Sequence, residues 1–291
     1  MIKILITGAD GQLGRSLKKN TDPLIGEFLF LNRNEFDLCD TNSISTVLSS
    51  FKPDYIINCA AYTAVDKAEE NSDKAFEVNY HGVVNLIRES SDIKSKIIHI
   101  STDYVFNGNG NDPYREIDPI DPQTVYGLSK AAGEKALREL ADTRSIVIRT
   151  SWLYSEFGQN FLKTILRLAS ERDAINVVDD QFGSPTYADD LAKAIIKIIE
   201  KKITFDQTSS VFHFSNSGQC NWFEFAKEII AISNLSCDVH AVSSSEYKTI
   251  AKRPEFSVLN CDRIQKVLNY KIRDWKDALK ECISTINQKE K

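Results

Sequence analysis

Tyr126 and Lys130 stand four residues apart in Tyr126-Gly127-Leu128-Ser129-Lys130. On a helix that Thr124 can cap, they share one face. A phenol with a pKa near 10 is a poor acid–base group at neutral pH. A nearby ammonium favours the phenolate and lowers that value. Such a pair can pass a proton to a carbonyl oxygen as hydride reaches its carbon. Lys130 can also hold a nicotinamide ribose. Alone, the spacing occurs by chance on many amphipathic helices, and a solvated face explains it as well. Its weight comes from Gly8-Ala9-Asp10-Gly11-Gln12-Leu13-Gly14, which follows an apolar run at the N-terminus. Glycine allows positive φ and close approach of backbone to ligand. A helix start offers free N–H groups and partial positive charge to a pyrophosphate. Without a ligand, the same glycines would be a plain strand–helix turn. Read together, the two motifs point to a nicotinamide dinucleotide and reduction of a carbonyl.

Two further groups refine that chemistry. An acidic residue at the end of the second strand would bind the ribose 2′-hydroxyl of NADH. Leu31-Asn32-Arg33 occupies that place instead. Arg33 can pair with a 2′-phosphate, so NADPH is preferred over NADH; otherwise Arg33 is a solvated surface charge. Ser101-Thr102-Asp103 directly follows a strand, where ligands of such folds bind. Thr102 or Ser101 can hold the reacting oxygen against Tyr126. The plainer reading is a strand-end turn, with Asp103 accepting from local backbone.

The elements that position these residues alternate. Strands are expected at Ile2–Ile6, Phe28–Leu31, Tyr55–Cys59, Lys96–Ile100 and Ile146–Ile148. Helices are expected from Gly11 to Lys19, from Thr41 as cap to Leu48, and over Ser72–Glu89. The strands are short and apolar throughout, as in a parallel sheet covered on both faces. The expected fold is therefore α/β, a Rossmann-like doubly wound sheet. Asn107–Pro122 has loop composition and is a candidate wall or lid of the site. After Arg149 the alternation weakens. Helices are expected at Asn160–Ser170, Asp189–Lys201 and Trp222–Ile232. The expected division is a dinucleotide-binding domain over 1–150 and a smaller, mainly substrate-binding α/β domain over 151–291, some of whose segments return to the first.

Composition sets the limits. The net charge is −5 and the basic residues are spread out, which gives no electrostatic support for nucleic-acid binding. No apolar run reaches the length of a membrane span. Met1 leads at once into a strand-like run, leaving no room for a cleavable signal, so a cytoplasmic protein is expected. The six cysteines have no zinc-ligand spacing, and reduced structural thiols are expected.

With these residues in view, the chain resembles the extended short-chain dehydrogenase/reductase family, and within it the reductases of dTDP-linked 4-keto-6-deoxyhexoses. The resemblance covers nearly the whole chain. Its motifs are Gly8–Gly14, Asn58–Asp66, Ser101–Phe106, Tyr126–Lys130, Arg149–Trp152, Asp180–Thr186, and Arg253-Pro254 with Ser257. It implies hydride delivery to the C4 ketone of a nucleotide-sugar, a small-molecule substrate. Thr102, Tyr126 and Lys130 match the family's catalytic trio. Ala60, Ala61, Tyr62 and Asn79 match residues that line the cofactor, and Asp40 matches one near the adenine. Asp40 would serve equally well as a helix start. Val65, Asp66, Asp103, Trp152 and Arg253 match the substrate side, although Trp152 would also suit an interdomain core. Some relatives dimerise around magnesium held by acidic groups, one of them on the first helix. Here Arg15-Ser16 fills that stretch, so no metal is expected, and the chain is a monomer or a homodimer.

Other readings stay open on these residues. A sugar-nucleotide epimerase or dehydratase shares the scaffold, but dehydratases place Asp-Glu after the threonine, and Tyr104 follows Asp103 here. The regulatory subunit of methionine adenosyltransferase is a non-enzymatic relative. The retained Thr102, Tyr126 and Lys130 argue against it.

Overall fold

The N-terminal run Ile2–Thr7 (β1) ends at Gly8, and the helix Gln12–Lys19 (α1) starts one turn later. The computed structural model describes residues 1–140, 145–203 and 209–289. The chain continues through Gly26–Leu31 (β2), Thr41–Phe51 (α2), Tyr55–Asn58 (β3), Val65–Glu70 (α3), Ser72–Phe76 (α4) and Gly82–Ser90 (α5). Lys96–Thr102 (β4), Val125–Leu140 (α6) and Ser145–Thr150 (β5) complete the first half.

The second half holds Leu153–Tyr154 (β6), Phe161–Glu171 (α7), Ala174–Val178 (β7), Phe182–Gly183 (β8) and Thr186–Tyr187 (β9). Ala188–Glu200 (α8), Ser209–His213 (β10), Cys220–Asn221 (β11) and Trp222–Ser233 (α9) follow. Asp238–Val242 (β12), Asp262–Leu268 (α10) and Trp275–Lys289 (α11) come last.

Six strands form one parallel sheet in the order β10-β5-β4-β3-β1-β2. The chain runs outward from β1 to β2, then crosses to β3 on β1's other side. That reversal opens a crevice beyond the carboxyl ends of β1 and β3, where such sheets bind ligands. The edge strand β10 comes from the second half of the chain. So does α8, whose Leu191, Ile195, Ile198 and Ile199 pack with Ile4, Ile6 and Leu17. The opposite face is covered by α2, α5 and α6 through Ile44, Leu48, Val83, Leu86 and Leu137. A separate core joins α7, α9, α11 and the parallel pair β7–β12, around Leu162, Ile175, Phe225, Trp275 and Leu279.

Three local expectations differ from the structure. The Ser72–Glu89 stretch is helical but not one α-helix: a π turn at Glu77–His81 separates α4 from α5. The cap of α2 is Asp40, whose side chain accepts from Asn42 N at 2.9 Å, and Thr41 is already inside the helix. The loop Asn107–Pro122 walls neither large cleft. Its Asn107 and Asn109 reach a crevice of about 10 Å³, and its Pro113 reaches a pocket of about 270 Å³ beside Ser215 and Cys261. It braces residues 254–260 instead: Tyr114 N donates to Val258 O at 2.9 Å and Asn260 N to Tyr114 O at 2.8 Å.

Candidate active site

The crevice at the sheet's reversal is a groove of about 310 Å³. Gly8, Asp10 and Gly11 line it from the glycine loop, Asn32 and Arg33 from the end of β2, and Cys59, Ala60, Ala61 and Tyr62 from the end of β3. Gly8 has φ +64°, and a Cβ there would sit 2.8 Å from Ala60 N. A Cβ on Gly14 would meet Gly8 O at 2.5 Å. The glycines therefore let α1 and the loop close up on each other. Gly11 caps α1 with no side-chain bond, which leaves the first-turn N–H groups to an anion. This cradle fits a dinucleotide pyrophosphate.

Leu13 is buried in the core, so only its backbone can serve the groove. Gln12 ties the groove to the second half: its carbonyl oxygen accepts from Asn160 Nδ2 at 2.8 Å and Ser155 Oγ at 3.1 Å. Asn32 Oδ1 accepts from Asn34 N at 2.9 Å and shapes the turn that carries Arg33. The Arg33 guanidinium is well exposed at the rim, 3.7 Å from the Asp37 carboxylate. Asp40 caps α2 and does not line the groove; of the Asp37-Leu38-Cys39-Asp40 element that the resemblance puts near the adenine, Asp37 and Leu38 do, as do Phe36 and Val78, which carry no sequence signal. Asn79 sits buried in the π turn. Its Oδ1 accepts from Tyr62 N at 2.9 Å, and its Nδ2 donates to Tyr62 O at 3.0 Å and Ser129 Oγ at 2.9 Å. It thus holds the Ala60–Tyr62 wall rather than the groove itself.

A second cleft, of about 480 Å³, lies between the sheet and the second core. Asp66, Tyr104, Trp152 and Arg253 line it, together with Phe161, Gln181, Trp222, Thr249 and Ser257. Asp66 accepts from Ala251 N at 3.0 Å and forms an ion pair with Arg253. Arg253 Nη1 also donates to Tyr104 Oη at 3.3 Å. Trp152 stacks on Trp222 with centroids 3.5 Å apart and planes at 9°. Gly183 lies under this pair, where a Cβ would come within 2.5 Å of the Trp152 ring. Trp152 is thus a wall of the cleft. Trp222 opens α9 and was read from sequence only as the start of a helix.

Tyr126 is buried and lines neither cleft, but it packs against residues of both. It shares an apolar cluster with Tyr62, which lines the groove, with Tyr104, which lines the second cleft, and with Val65, which lines neither. Thr102, at the end of β4, is the polar neighbour of the Tyr126 phenol, with its own hydroxyl proton given to Asp103. Burial pushes the phenol well above its ordinary 10, Asp103 and Tyr104 add to that, and Thr102 opposes it. Asp103 is buried too: it accepts from Thr102 Oγ1 at 2.9 Å, and burial raises its carboxyl to about 6. Tyr126 and Lys130 lie one turn apart on α6, with Thr124 Oγ1 accepting from Gly127 N at 3.0 Å. The Lys130 amine is directed at β4, however. Nζ donates to Ile100 O at 2.6 Å and lies 3.1 Å from His99 Nε2. Burial lowers it to about 8, against the opposing pull of Glu134 and Cys59. Among the described residues, no group of three or more His, Cys, Asp or Glu side chains is placed to hold a metal ion.

A family model described as the RmlD substrate binding domain matches residues 2–288. The chain belongs to the RmlD family. A dTDP-4-dehydrorhamnose reductase of Aggregatibacter actinomycetemcomitans is 43% identical, over 96% of this chain and 98% of that protein. The spore coat polysaccharide biosynthesis protein SpsK of Bacillus subtilis (strain 168) is 42% identical, over 97% of each. The solved structure of a Bacillus anthracis dTDP-4-dehydrorhamnose reductase in complex with NADP superposes with a TM-score of 0.92. It is 36% identical, over 98% of this chain and 100% of that one. RmlD-family membership and the paired clefts therefore cover the same residues, from the glycine loop to Arg253.

Proposed function

We infer that the chain is an NADPH-dependent ketoreductase. It reduces the C4 ketone of dTDP-4-dehydro-β-L-rhamnose to give dTDP-β-L-rhamnose, the last step in making that sugar nucleotide for cell-surface polysaccharide. The observation that carries this reading is Tyr126, neighboured by Thr102 and packed between Tyr62 of the dinucleotide groove and Tyr104 of the larger cleft. Its support from outside the chain is likeness, over nearly the full length, to reductases of that name.

NADPH supplies the hydride. The chain's residues do the rest. Free N–H groups at the start of α1 and the Gly8–Gly14 backbone would hold the pyrophosphate, and Arg33 at the rim would pair with a 2′-phosphate. Ala60, Ala61 and Tyr62, fixed by Asn79, would wall the cofactor on the β3 side. Trp152 and Trp222 offer the sugar nucleotide an aromatic face, and Asp66 with Arg253 frames the cleft's polar side. Thr102 positions the ketone oxygen. Tyr126, protonated at neutral pH because its phenol is buried, gives its proton to that oxygen. Lys130 in its charged form steadies the phenolate left behind. Every group in this account comes from one chain, so a monomer suffices for the chemistry, and a homodimer would be two complete sites. The six free thiols suit a reducing cytoplasm.

The test is a coupled absorbance assay with dTDP-4-dehydro-β-L-rhamnose. Sugar-dependent, stoichiometric oxidation of NADPH, faster than that of NADH, is expected. Turnover of sugar with no net loss of NADPH would mean an epimerase instead. Cofactor bound with no turnover would favour the non-enzymatic relative.

A further inference from the structure

Beneath the site, four buried polar side chains cross three adjacent strands to reach α6. Thr7 ends β1 just before Gly8, Asn58 ends β3, His99 lies in β4, and Lys130 lies on α6. All four are essentially inaccessible to solvent. Their hydrogen-bond directions follow from one fixed donor. Ala60 N–H donates to Asn58 Oδ1 at 3.2 Å, and Thr7 Oγ1 donates to the same oxygen at 2.7 Å. A backbone N–H can only donate, so the amide oxygen faces Ala60 and the amide nitrogen faces His99. Asn58 Nδ2 lies 3.1 Å from His99 Nδ1. An amide nitrogen also only donates, so Nδ1 carries no proton. Burial, the larger cause, holds His99 well below its ordinary 6.5, so the ring is neutral. Its single proton is therefore on Nε2, 3.1 Å from Lys130 Nζ. An ammonium has no acceptor. Two donors would face each other in a dry site, whereas a free amine accepts from Nε2–H and still donates to Ile100 O.

We propose that His99 is a positioning residue for Lys130: its tautomer, locked by Asn58, turns an N–H toward Nζ, favours the neutral amine over the ammonium, and so sets the pH above which the cofactor-free protein loses the Lys130 cation. This rests on the reading of Lys130 as an active-site group. The other charged or titratable groups around Nζ are accounted for. Glu134, one turn on, is bonded by Arg149 Nη2 at 2.7 Å and by Ser101 Oγ at 2.5 Å. The Cys59 thiol is kept neutral by burial, and Tyr126 is a neutral phenol.

The protonated form needs the opposite arrangement. To receive an ammonium, Nε2 must lose its proton to Nδ1, and the Asn58 amide must turn over. Ala60 N–H then keeps only its longer bond to Thr7 Oγ1, at 3.3 Å. The charge on Lys130 is thereby tied to a backbone group in the wall of the dinucleotide groove.

The experiment is a pH titration of the cofactor-free protein labelled at lysine Cε with carbon-13. The Lys130 resonance is assigned by its loss in Lys130→Met. In the wild type it is expected to titrate near 8, apart from the ordinary lysines near 10.5. Asn58→Asp keeps the acceptor for Thr7 and Ala60 and puts a carboxylate oxygen opposite Nδ1, which accepts from Nδ1–H and so leaves Nε2 unprotonated as an acceptor. His99→Gln offers a carbonyl to the ammonium with no added charge. Both should raise the Lys130 midpoint by roughly one unit or more. The alkaline limb of kcat/KM should move up with it, because the cation then survives to higher pH. A wild-type Lys130 that titrates with the bulk lysines overturns the proposal even if neither variant folds. So do variants that lower the activity plateau while leaving midpoint and limb in place. Because the titration uses no sugar, it stands or falls apart from the assigned substrate.

Discussion

Burial gives Tyr126 and Asp103 opposite uses. The raised phenol stays protonated across the neutral range and carries the proton that the ketone oxygen needs. Tyr126→Phe keeps the ring in its cluster with Tyr62 and Tyr104 but removes that proton. Its kcat should fall by about 10²–10⁴-fold, with NADPH affinity retained in a fluorescence titration. Near-normal turnover would take the phenol out of the mechanism. Asp103 stores a cost instead. Its carboxyl rises from 3.8 to about 6 on folding, because the buried site disfavours the anion. The folded value lies above the unfolded one, so the protein is relatively more stable below both. That advantage is lost as pH rises through the interval. Asp103→Asn should therefore raise unfolding stability by an amount on the order of 2–3 kcal/mol above about pH 7, and change it little near pH 4. Denaturant melts at the two pH values decide the matter, and an equal change at both would refute the buried-anion account.

At the scale of elements, the π turn at Glu77–His81 matters because it aims Asn79 at Tyr62. π turns often mark functional sites. Asn79→Ala leaves the Tyr62 N–H and C=O without their partner. At about 1–3 kcal/mol for each buried unpaired group, it should lose several kcal/mol of stability. The KM for NADPH should rise more than kcat falls, because the damaged wall binds cofactor and touches no reacting atom. An unchanged KM would confine Asn79 to folding. The resemblance marks Asn79, but the π turn and the bonds to Tyr62 were not legible in the sequence. The apolar positions Ala75, Phe76, Val83, Leu86 and Ile87 fit an unbroken helix, and one extra residue per turn is less than their scatter. The glycine loop and the Tyr126–Lys130 spacing were legible because their chemistry is local to a strand end or a helical turn. Where the Lys130 amine points was not, because His99 and Ile100 O reach it only through strand pairing. Asn107–Pro122 looked like a wall because its composition says loop, and composition cannot say which cleft a loop borders.

For the whole molecule, the question is whether the two halves of the chain are separable. The sequence shows the strand–helix alternation failing near residue 150, which suggests a soft boundary with some later segments returning to the first domain. The sheet is built across that point. Its edge strand β10 pairs with β5 from Ser209 to His213, a segment whose mixed polarity hides it from pattern reading. Helix α8 covers one face of the sheet with Leu191, Ile195, Ile196, Ile198 and Ile199, each less than a tenth exposed. At about 1.5–3 kcal/mol for each large aliphatic side chain buried, that helix alone contributes on the order of 10 kcal/mol. This is comparable with the whole stability of an ordinary domain. A fragment of residues 1–150 should therefore fail to fold cooperatively, although it contains the glycine loop, Thr102, Tyr126 and Lys130. Circular dichroism of the fragment should show no sharp thermal transition, and it should bind a hydrophobic dye where the full chain does not. The intact protein should melt in one step, and saturating NADPH at about 100 times its Kd should add about 2.7 kcal/mol. A fragment that melts sharply and binds NADPH would mean that the first half is a domain in its own right, with α8 and β10 as late additions to a sheet that needs neither.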